Sequence, residues 1–543
     1  MSYLKYICFI SILFIFFSCE ETKKLQDADG EDTLTKGATL SSTWVKKQLY
    51  VYLQLDSLKE RQTDSILSSI YSHNAYHPFW SDSLKREVVI NWLDSLYFEG
   101  LQPQQYDLES LRSKHQKWIE LEDSLRADWE VNATRQIIRA VLHQWYGKTN
   151  PRSIFDDWAY QETILPLPIT QTDWMYFFKK NLGAVLPKIR PTHPIYSSLK
   201  QQLFRLKQWE KKGTFQLATI TTSKKKLKLG DIDSSVYLIK KRLLNVGLFQ
   251  QQNINDTFDL ALQRAVRIFQ KHILLTPTGV IDRTTLNRLN FSKEDFYRII
   301  IVNMERCRWL LKGKLPDEFI LVNIADYTLT YSKQDSILFQ TAVVVGKDQH
   351  ETPLFTSKLT TVELNPYWTV PVSIATKEIL PKLKQDPSYL RRHNMKLYQG
   401  GKEVMVRNFS AYKESYFPFT IRQEPGKDND LGLVKFLFPN PYSIYFHDTP
   451  AKWIFSLDQR NFSHGCIRVQ NPLAFAEVLL KEEGYNRSRI DKIIQSEKNH
   501  AVRLKKRIPI YIVYWTFKLV KGEEYFMYDI YGRDKKILKA LMN

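Results

Sequence analysis

Near residue 317 the apolar pattern of this chain changes from helical spacing to short strand-like runs, so no single layered core accommodates the whole length. On the N-terminal side, Val89, Ile90, Trp92, Leu93 and Leu96 recur at helical spacing before Glu99-Gly100. Ile137, Ile138, Val141, Leu142 and Trp145 do the same before Gly147. Pro151, Pro166, Pro168, Pro187, Pro191 and Pro194 divide the rest into short pieces. Residues 43–215 therefore read as a helical scaffold that offers no cluster of catalytic residue types. On the C-terminal side, 319–324, 329–331, 338–345, 359–364, 432–438, 443–446, 508–515 and 525–530 are rich in Val, Ile, Thr and aromatic residues. Asp, Gly and Pro bound them, as expected of strands. Residues 371–395 interrupt them with helical character. The expected fold class is multidomain α+β, and 543 residues exceed what one core supports.

The N-terminus suggests export. Met1 to Lys5 carries one lysine and Tyr6 to Phe17 is nearly all apolar. That run is shorter than the ~20 residues needed to span a bilayer, so residues 1–18 read as a signal peptide. It ends at Phe16-Phe17-Ser18-Cys19, which resembles a lipobox; Cys19 is then the lipidated residue and 19–42 a polar linker. The expected location is the periplasm or cell envelope, with a membrane anchor. Of the four cysteines, Cys8 and Cys19 fall in or beside this segment, leaving Cys307 and Cys466. Two lone cysteines do not make a disulfide scaffold. Cys307 reads as a small buried hydrophobe in a linking helix (296–316), although a bridge to Cys466 stays open. The formal charge of +20 suits an acidic polymer, an anionic surface or plain solvation of helix faces. With no nucleic-acid motif, nucleic acid is not an expected partner.

Residues 227–290 form a small module. Val236, Ile239 and Leu243-Leu244 mark a first helix, Phe258 to Gln270 a second, and Thr285 to Leu289 a third after the turn at Gly279-Val280-Ile281-Asp282. Through Val266, Phe269-Gln270, Gly279-Val280, Asp282, Thr285 and Leu289 it resembles the three-helix peptidoglycan-binding domain.

The chemistry concentrates in Pro441–Pro450 and Asn461–Val469. A free thiol has a pKa of about 8.5, so a cysteine nucleophile needs a base within reach. Acyl transfer also needs backbone N–H donors, which a neighbouring glycine lets approach. A substrate with free carboxylates calls for a fixed arginine. Cys466, His447, Gly465 and Arg468 supply all four; Gly465 and Cys466 N–H groups are the candidate oxyanion donors. His464 is a second candidate base; in a strand it projects to the same face as Cys466. A metal site from His447, His464 and Cys466 would need Asp448 and matches no familiar zinc spacing.

Ser463-His464-Gly465-Cys466, nineteen residues after His447, resembles the catalytic motif of the L,D-transpeptidase (YkuD) family. Asn365–Pro371, Leu431–Asn440, Phe446–Pro450 and Ile512–Thr516 are similar to its large periplasmic branch, and Arg468 stands where the common motif has asparagine. The resemblance implies a β-sandwich catalytic domain over 317–543 with a helical insertion as a lid. It implies a Cys466 thioester, formed from a tetrapeptide stem and resolved by a second stem's diaminopimelate, with His447 as proton acceptor and donor. Arg468, His464, Tyr445 and Trp368 are the expected substrate-binding residues. No metal or organic cofactor is expected, and the partners are peptidoglycan stem peptides and glycan. An L,D-carboxypeptidase, a protein-attachment or release enzyme, and a non-catalytic wall-binding lipoprotein stay open.

Overall fold

The computed structural model describes residues 40–54, 61–160, 165–182, 186–211, 218–250, 254–273, 275–310, 315–334, 336–520 and 523–543. The expected signal peptide and Cys19 lie outside the described residues.

The N-terminal region is helical: α1 (Ser42–Gln54), α2 (Arg61–His73), α3 (Ser83–Asp94), α4 (Asp123–Tyr146) and α5 (Pro194–Lys211). α4 is its axis, because α1, α2 and α3 bury Val45, Leu67, Val89 and Leu93 around Ala133, Ile137 and Val141. Glu130 on α4 is wholly buried yet satisfied, accepting from Phe79 N–H (2.7 Å), Trp80 N–H (2.9 Å) and Tyr71 OH (2.9 Å). One feature differs from the all-helical expectation: Trp158–Ala159 form a two-residue strand, β1, paired in parallel with Leu354 and Phe355 of the C-terminal sheet.

The three expected helices follow as α6 (Ser234–Asn245), α7 (Leu260–His272) and α8 (Arg283–Leu289). Each starts on an aspartate cap: Asp233, Asp259 and Asp282 accept from Ser235, Leu262 and Thr285 N–H groups. Gln270 explains why the Phe-Gln pair and the glycine turn occur together. Its amide donates to Val280 O (2.8 Å) and accepts from Gly279 N–H (2.9 Å), fastening α7 to the turn before α8.

α9 (Lys293–Leu310) then joins the regions. Arg308 on it is fully buried, bonded to Glu305 (2.9 Å), Tyr196 OH (3.2 Å) and the Glu99 carbonyl. Glu99 itself pairs with Lys200 and Arg190. A buried charge is tolerated only when so paired, and this network ties the helical region to α9.

The C-terminal strands are β2 (Glu318–Asn323), β3 (Thr328–Lys333), β4 (Ser336–Gly346), β5 (Leu354–Leu364), β6 (Trp368–Thr369), β7 (Met395–Gln399), β8 (Lys402–Val404), β9 (Thr420–Gln423), β10 (Val434–Leu437), β11 (Phe446–His447), β12 (Asn461–Ser463), β13 (Ile467–Val469), β14 (His500–Val513), β15 (Phe517–Val520) and β16 (Glu523–Phe526). The main sheet runs β1-β5-β10-β11-β13-β4-β3-β2-β14, and β5 also pairs β14, so the sheet closes on itself around one apolar core. The expected strand over 443–446 shrinks to β11. Ser443 takes φ 57°, and the Asn440 side chain accepts from Tyr442 and Ile444 N–H groups, folding 440–444 into a turn. The strand expected over 525–530 stops at Phe526, in a hairpin with β15. The insertion is larger than the expected helical 371–395: it runs from β6 to β9, carries a four-stranded sheet in the order β6-β9-β7-β8, and has its own core around Leu383, Leu397 and Ile421.

The three-helix module rests on the β15–β16 hairpin and on the loop before β12. Lys271 pairs with Glu523 at 3.5 Å, the His272 ring stacks on Tyr525, and Thr276 hydrogen-bonds Asp458.

Candidate active site

Three short strands place the candidate residues. β10 is antiparallel to β11, with Lys435 opposite His447, and β11 is parallel to β13, with His447 opposite Arg468. Alternation along a strand then divides the residues between two faces. Val434, Phe436, Phe446, Ile467 and Val469 turn inward and are buried with Phe475. Lys435, Tyr445, His447, Cys466 and Arg468 fall on the other face. Cys466 lies beside Tyr445, because the Ile467 N–H donates to the Tyr445 carbonyl at 3.2 Å.

The turn carrying the thiol is held from several sides. Ser463 Oγ donates to the Cys466 carbonyl at 2.6 Å and accepts from the Gly465 N–H at 3.1 Å. Thr352 Oγ1 donates to the Gly465 carbonyl at 2.8 Å. Gly465 has φ 109°, where a side chain is strained, and a Cβ there would sit 3.3 Å from Ile444 Cδ1. This left-handed residue also breaks the strand alternation. His464 therefore does not share the face of Cys466; it is exposed, with Nε2 2.7 Å from Glu378 of the insertion. Of the two candidate oxyanion donors, the Gly465 N–H is taken by Ser463, which leaves the Cys466 N–H as the candidate.

His447 is buried, and its Nδ1 lies 2.5 Å from the Asp448 carbonyl, an acceptor only. Nδ1 accordingly carries the proton and Nε2 the lone pair. Asp448 holds this corner: its carboxylate accepts from Leu433 N–H (2.9 Å) and Thr449 N–H (2.6 Å) and pairs with Lys452. Gly432 makes room for it, since a Cβ there would meet Asp448 Cγ at 2.4 Å. Burial, with Arg468 and Lys435 adding to it, pushes the His447 imidazole down to about 3, against the bond to Asp448. Burial pushes the half-buried Cys466 thiol up, opposed by hydrogen bonds from the Tyr445 backbone and hydroxyl and by Lys435 and Arg468. At rest the two groups are a neutral thiol and a neutral imidazole, with Sγ 3.8 Å from the Ser443 carbonyl.

The two cations are open. Among the described residues, neither Lys435 nor Arg468 closes an ion pair within 4.0 Å, and Arg468 Nε is buried without a hydrogen-bond partner. Burial lowers the pKa of Arg468, and the charge of Asp430 opposes this. Trp368 reaches the site beside Tyr445, whose pKa it lowers against the burial that raises it. Cys307 and Cys466 are both free thiols. No group of three or more His, Cys, Asp or Glu side chains arranged to hold a metal occurs among the described residues. Lys435, Asp430, Glu378 and Ser463 were not foreseen as site residues. A signal existed for Lys435, which is a charge between Val434 and Phe436 in a strand whose neighbours face the core.

Residues 317–492 match the family model of the L,D-transpeptidase catalytic domain, 65–203 the scaffold domain, and 233–289 the model described as "Putative peptidoglycan binding domain". A Haemophilus influenzae protein named "Putative L,D-transpeptidase" is 33% identical over 226 residues, which are 41% of this chain and 46% of that protein. The match thus spans less than half of the relative's length. Among solved structures, an L,D-transpeptidase from Mycobacterium smegmatis is 15% identical, covering 36% of this chain and 58% of that one at a TM-score of 0.18. L,D-transpeptidase 3 from Mycobacterium tuberculosis, in complex with a faropenem-derived adduct, is 14% identical, covering 36% and 60%, also at 0.18. Superpositions of that quality carry no argument about this chain. In chain order, the match to the scaffold model comes first, then that to the putative peptidoglycan-binding domain, and last that to the L,D-transpeptidase catalytic domain.

Proposed function

We propose that this protein is a peptidoglycan L,D-transpeptidase that joins diaminopimelate residues of two stem peptides through a thioester on Cys466. The observation that carries the reading is one sheet face holding a thiol, an imidazole with Nε2 unprotonated, and two cations without ion-pair partners. A tetrapeptide donor brings free carboxylates, and Arg468, with its buried unsatisfied Nε, is suited to receive one in bidentate form.

In the first step the Cys466 proton passes to His447 Nε2 as Sγ attacks the carbonyl after the L-centre of diaminopimelate. Charge on the carbonyl oxygen is met by the Cys466 N–H. The C–N bond breaks, and terminal D-alanine leaves with the proton from His447. In the second step the acceptor's side-chain amine loses a proton to His447 Nε2 and attacks the thioester. The C–S bond breaks, and the thiolate recovers its proton. Neutral resting groups fit this order, because the thiol is ionised as it attacks rather than beforehand. Trp368 and Tyr445 line the donor pocket, and His464, tied to Glu378, borders it. We also place the protein in the cell envelope, anchored through a lipidated Cys19; palmitate labelling lost in Cys19→Ala tests this.

Incubation of the protein with disaccharide-tetrapeptide, read by mass spectrometry, decides the activity. A dimer lacking one D-alanine, absent with Cys466→Ala, is the expected product. Tripeptide alone would make water the acceptor, and no product would sink the catalytic reading.

A further inference from the structure

β10 carries one charged residue between two buried apolar ones, and its register fixes where that charge goes. Val434 and Phe436 face the core, so Lys435 emerges on the reactive face, opposite His447 on one side and Glu363 of β5 on the other. Lys435 Nζ lies 4.4 Å from the centroid of the Tyr445 ring. That same Tyr445 sits beside Cys466, its carbonyl accepting from the Ile467 N–H at 3.2 Å, and its presence lowers the thiol's pKa against the burial that raises it. A cation on an aromatic face is held without being neutralised, so its field still reaches neighbouring atoms.

Glu363 on β5 draws on Lys435 but closes no ion pair with it within 4.0 Å. Tyr445 and neutral His447 bring no charge. Arg468 on β13 is cationic, but Asp430 lies in its field, and in the proposed reaction a substrate carboxylate neutralises it further. Of these two cations, Lys435 is then the one left for the sulfur once substrate is bound.

We infer that Lys435 sets the charge of the nucleophile: its ammonium, resting on the Tyr445 ring beside Cys466, stabilises the thiolate relative to the thiol. The step is a proton transfer from Sγ to His447 Nε2; Lys435 keeps its own protons and makes no bond to substrate. It is a positioning residue for charge, and the inference rests on the reading of Cys466 as nucleophile.

Site-resolved alkylation tests it. The full chain, Lys435→Met, Lys435→Gln and Lys435→Arg are treated with iodoacetamide from pH 5 to 10, and modification of Cys466 is read by peptide mass spectrometry. Lys435→Met and Lys435→Gln are expected to slow alkylation of Cys466 about tenfold throughout the pH range below its midpoint, pH 7 included. Lys435→Arg is expected to return it to within about threefold of the parent. A neutral variant with a native melting curve and an unchanged profile would overturn the inference, as would failure of arginine to rescue. D-alanine release from the tetrapeptide, followed in the parent protein, separates the two ideas. Its absence would sink the transpeptidase reading and leave the alkylation comparison standing.

Discussion

Cys307 and Cys466 are both free thiols flanked by cations, and only one sits where chemistry is possible. Cys307 lies in α9, 1% exposed, and burial pushes its thiol up to about 12 despite Arg306 and Arg308. Those arginines are committed, Arg306 to Asp534 at 2.6 Å and Arg308 to Glu305 at 2.9 Å. Beside Cys466 the cations close no such pairs among the described residues, a neutral imidazole shares the face, and the sulfur is only half-buried. The contrast teaches that nearby arginines do not by themselves make a thiol reactive. What matters is charge left uncancelled, a base within reach and access for a substrate.

The sharpest way to break this contrast is to remove each sulfur in turn. Cys466→Ala is expected to lower cross-link formation by about 10⁴-fold or more. Cys307→Ala should keep activity within about twofold and lose about 1 kcal/mol of stability in urea unfolding. Comparable activity losses would erase the distinction.

A second test neutralises the open cation. Arg468→Gln should cut kcat/KM for tetrapeptide donor about 100-fold, with Arg468→Lys intermediate because the fork geometry is lost. An effect no larger than that of Glu378→Gln would remove Arg468 from substrate recognition.

Each region also keeps a buried imidazole pushed down to about 3: His447, and His143 in α4, which Arg308 helps to depress. Unfolded histidine titrates near 6.5, so between about pH 3 and 6.5 the unfolded chain binds a proton that the native one does not. This contribution to stability is whole above pH 6.5 and is lost as pH falls towards 3. Glu130, raised by burial to about 7, works in the opposite direction, so the informative quantity is a difference between proteins. His143→Gln should lose about fivefold less of its folding equilibrium constant than the parent between pH 6.5 and 5.5, in urea titrations. Equal losses would mean that His143 already titrates normally.

The smallest expected effect concerns the insertion. Glu378→Gln weakens a half-exposed contact with His464 and should change KM by less than about threefold. A larger change would mean that the insertion's grip on the thiol turn contributes to substrate binding.

Much of this was legible residue by residue. The Phe269-Gln270 pair and the Gly279 turn announced the three-helix module because one buried amide must be satisfied by that turn. The sequence singles out Cys466 and His447 together, because few other roles need a thiol, a glycine and an arginine so close to a histidine, and the structure sets their strands, β13 and β11, side by side. The shortened β11 was not, since Ser443 adopts a left-handed conformation that its residue type does not signal. Nor was the outward turn of His464, which follows from the φ of Gly465 rather than from spacing. The sheet inside the insertion escaped because 395–423 is strand only where β7 and β9 find each other.

By itself the sequence determined which groups are available and how each segment alternates: Val434-Lys435-Phe436 and Ile467-Arg468-Val469 must each send their charge one way and their apolar neighbours the other. Only the tertiary structure decided that Lys435, His447 and Arg468 stand abreast on one face, and that Arg306 and Arg308 close ion pairs while Arg468 and Lys435 close none within 4.0 Å among the described residues. The reason is that strand register and ion pairing join residues far apart in the chain, and local pattern carries no information about which distant partner a charge will meet.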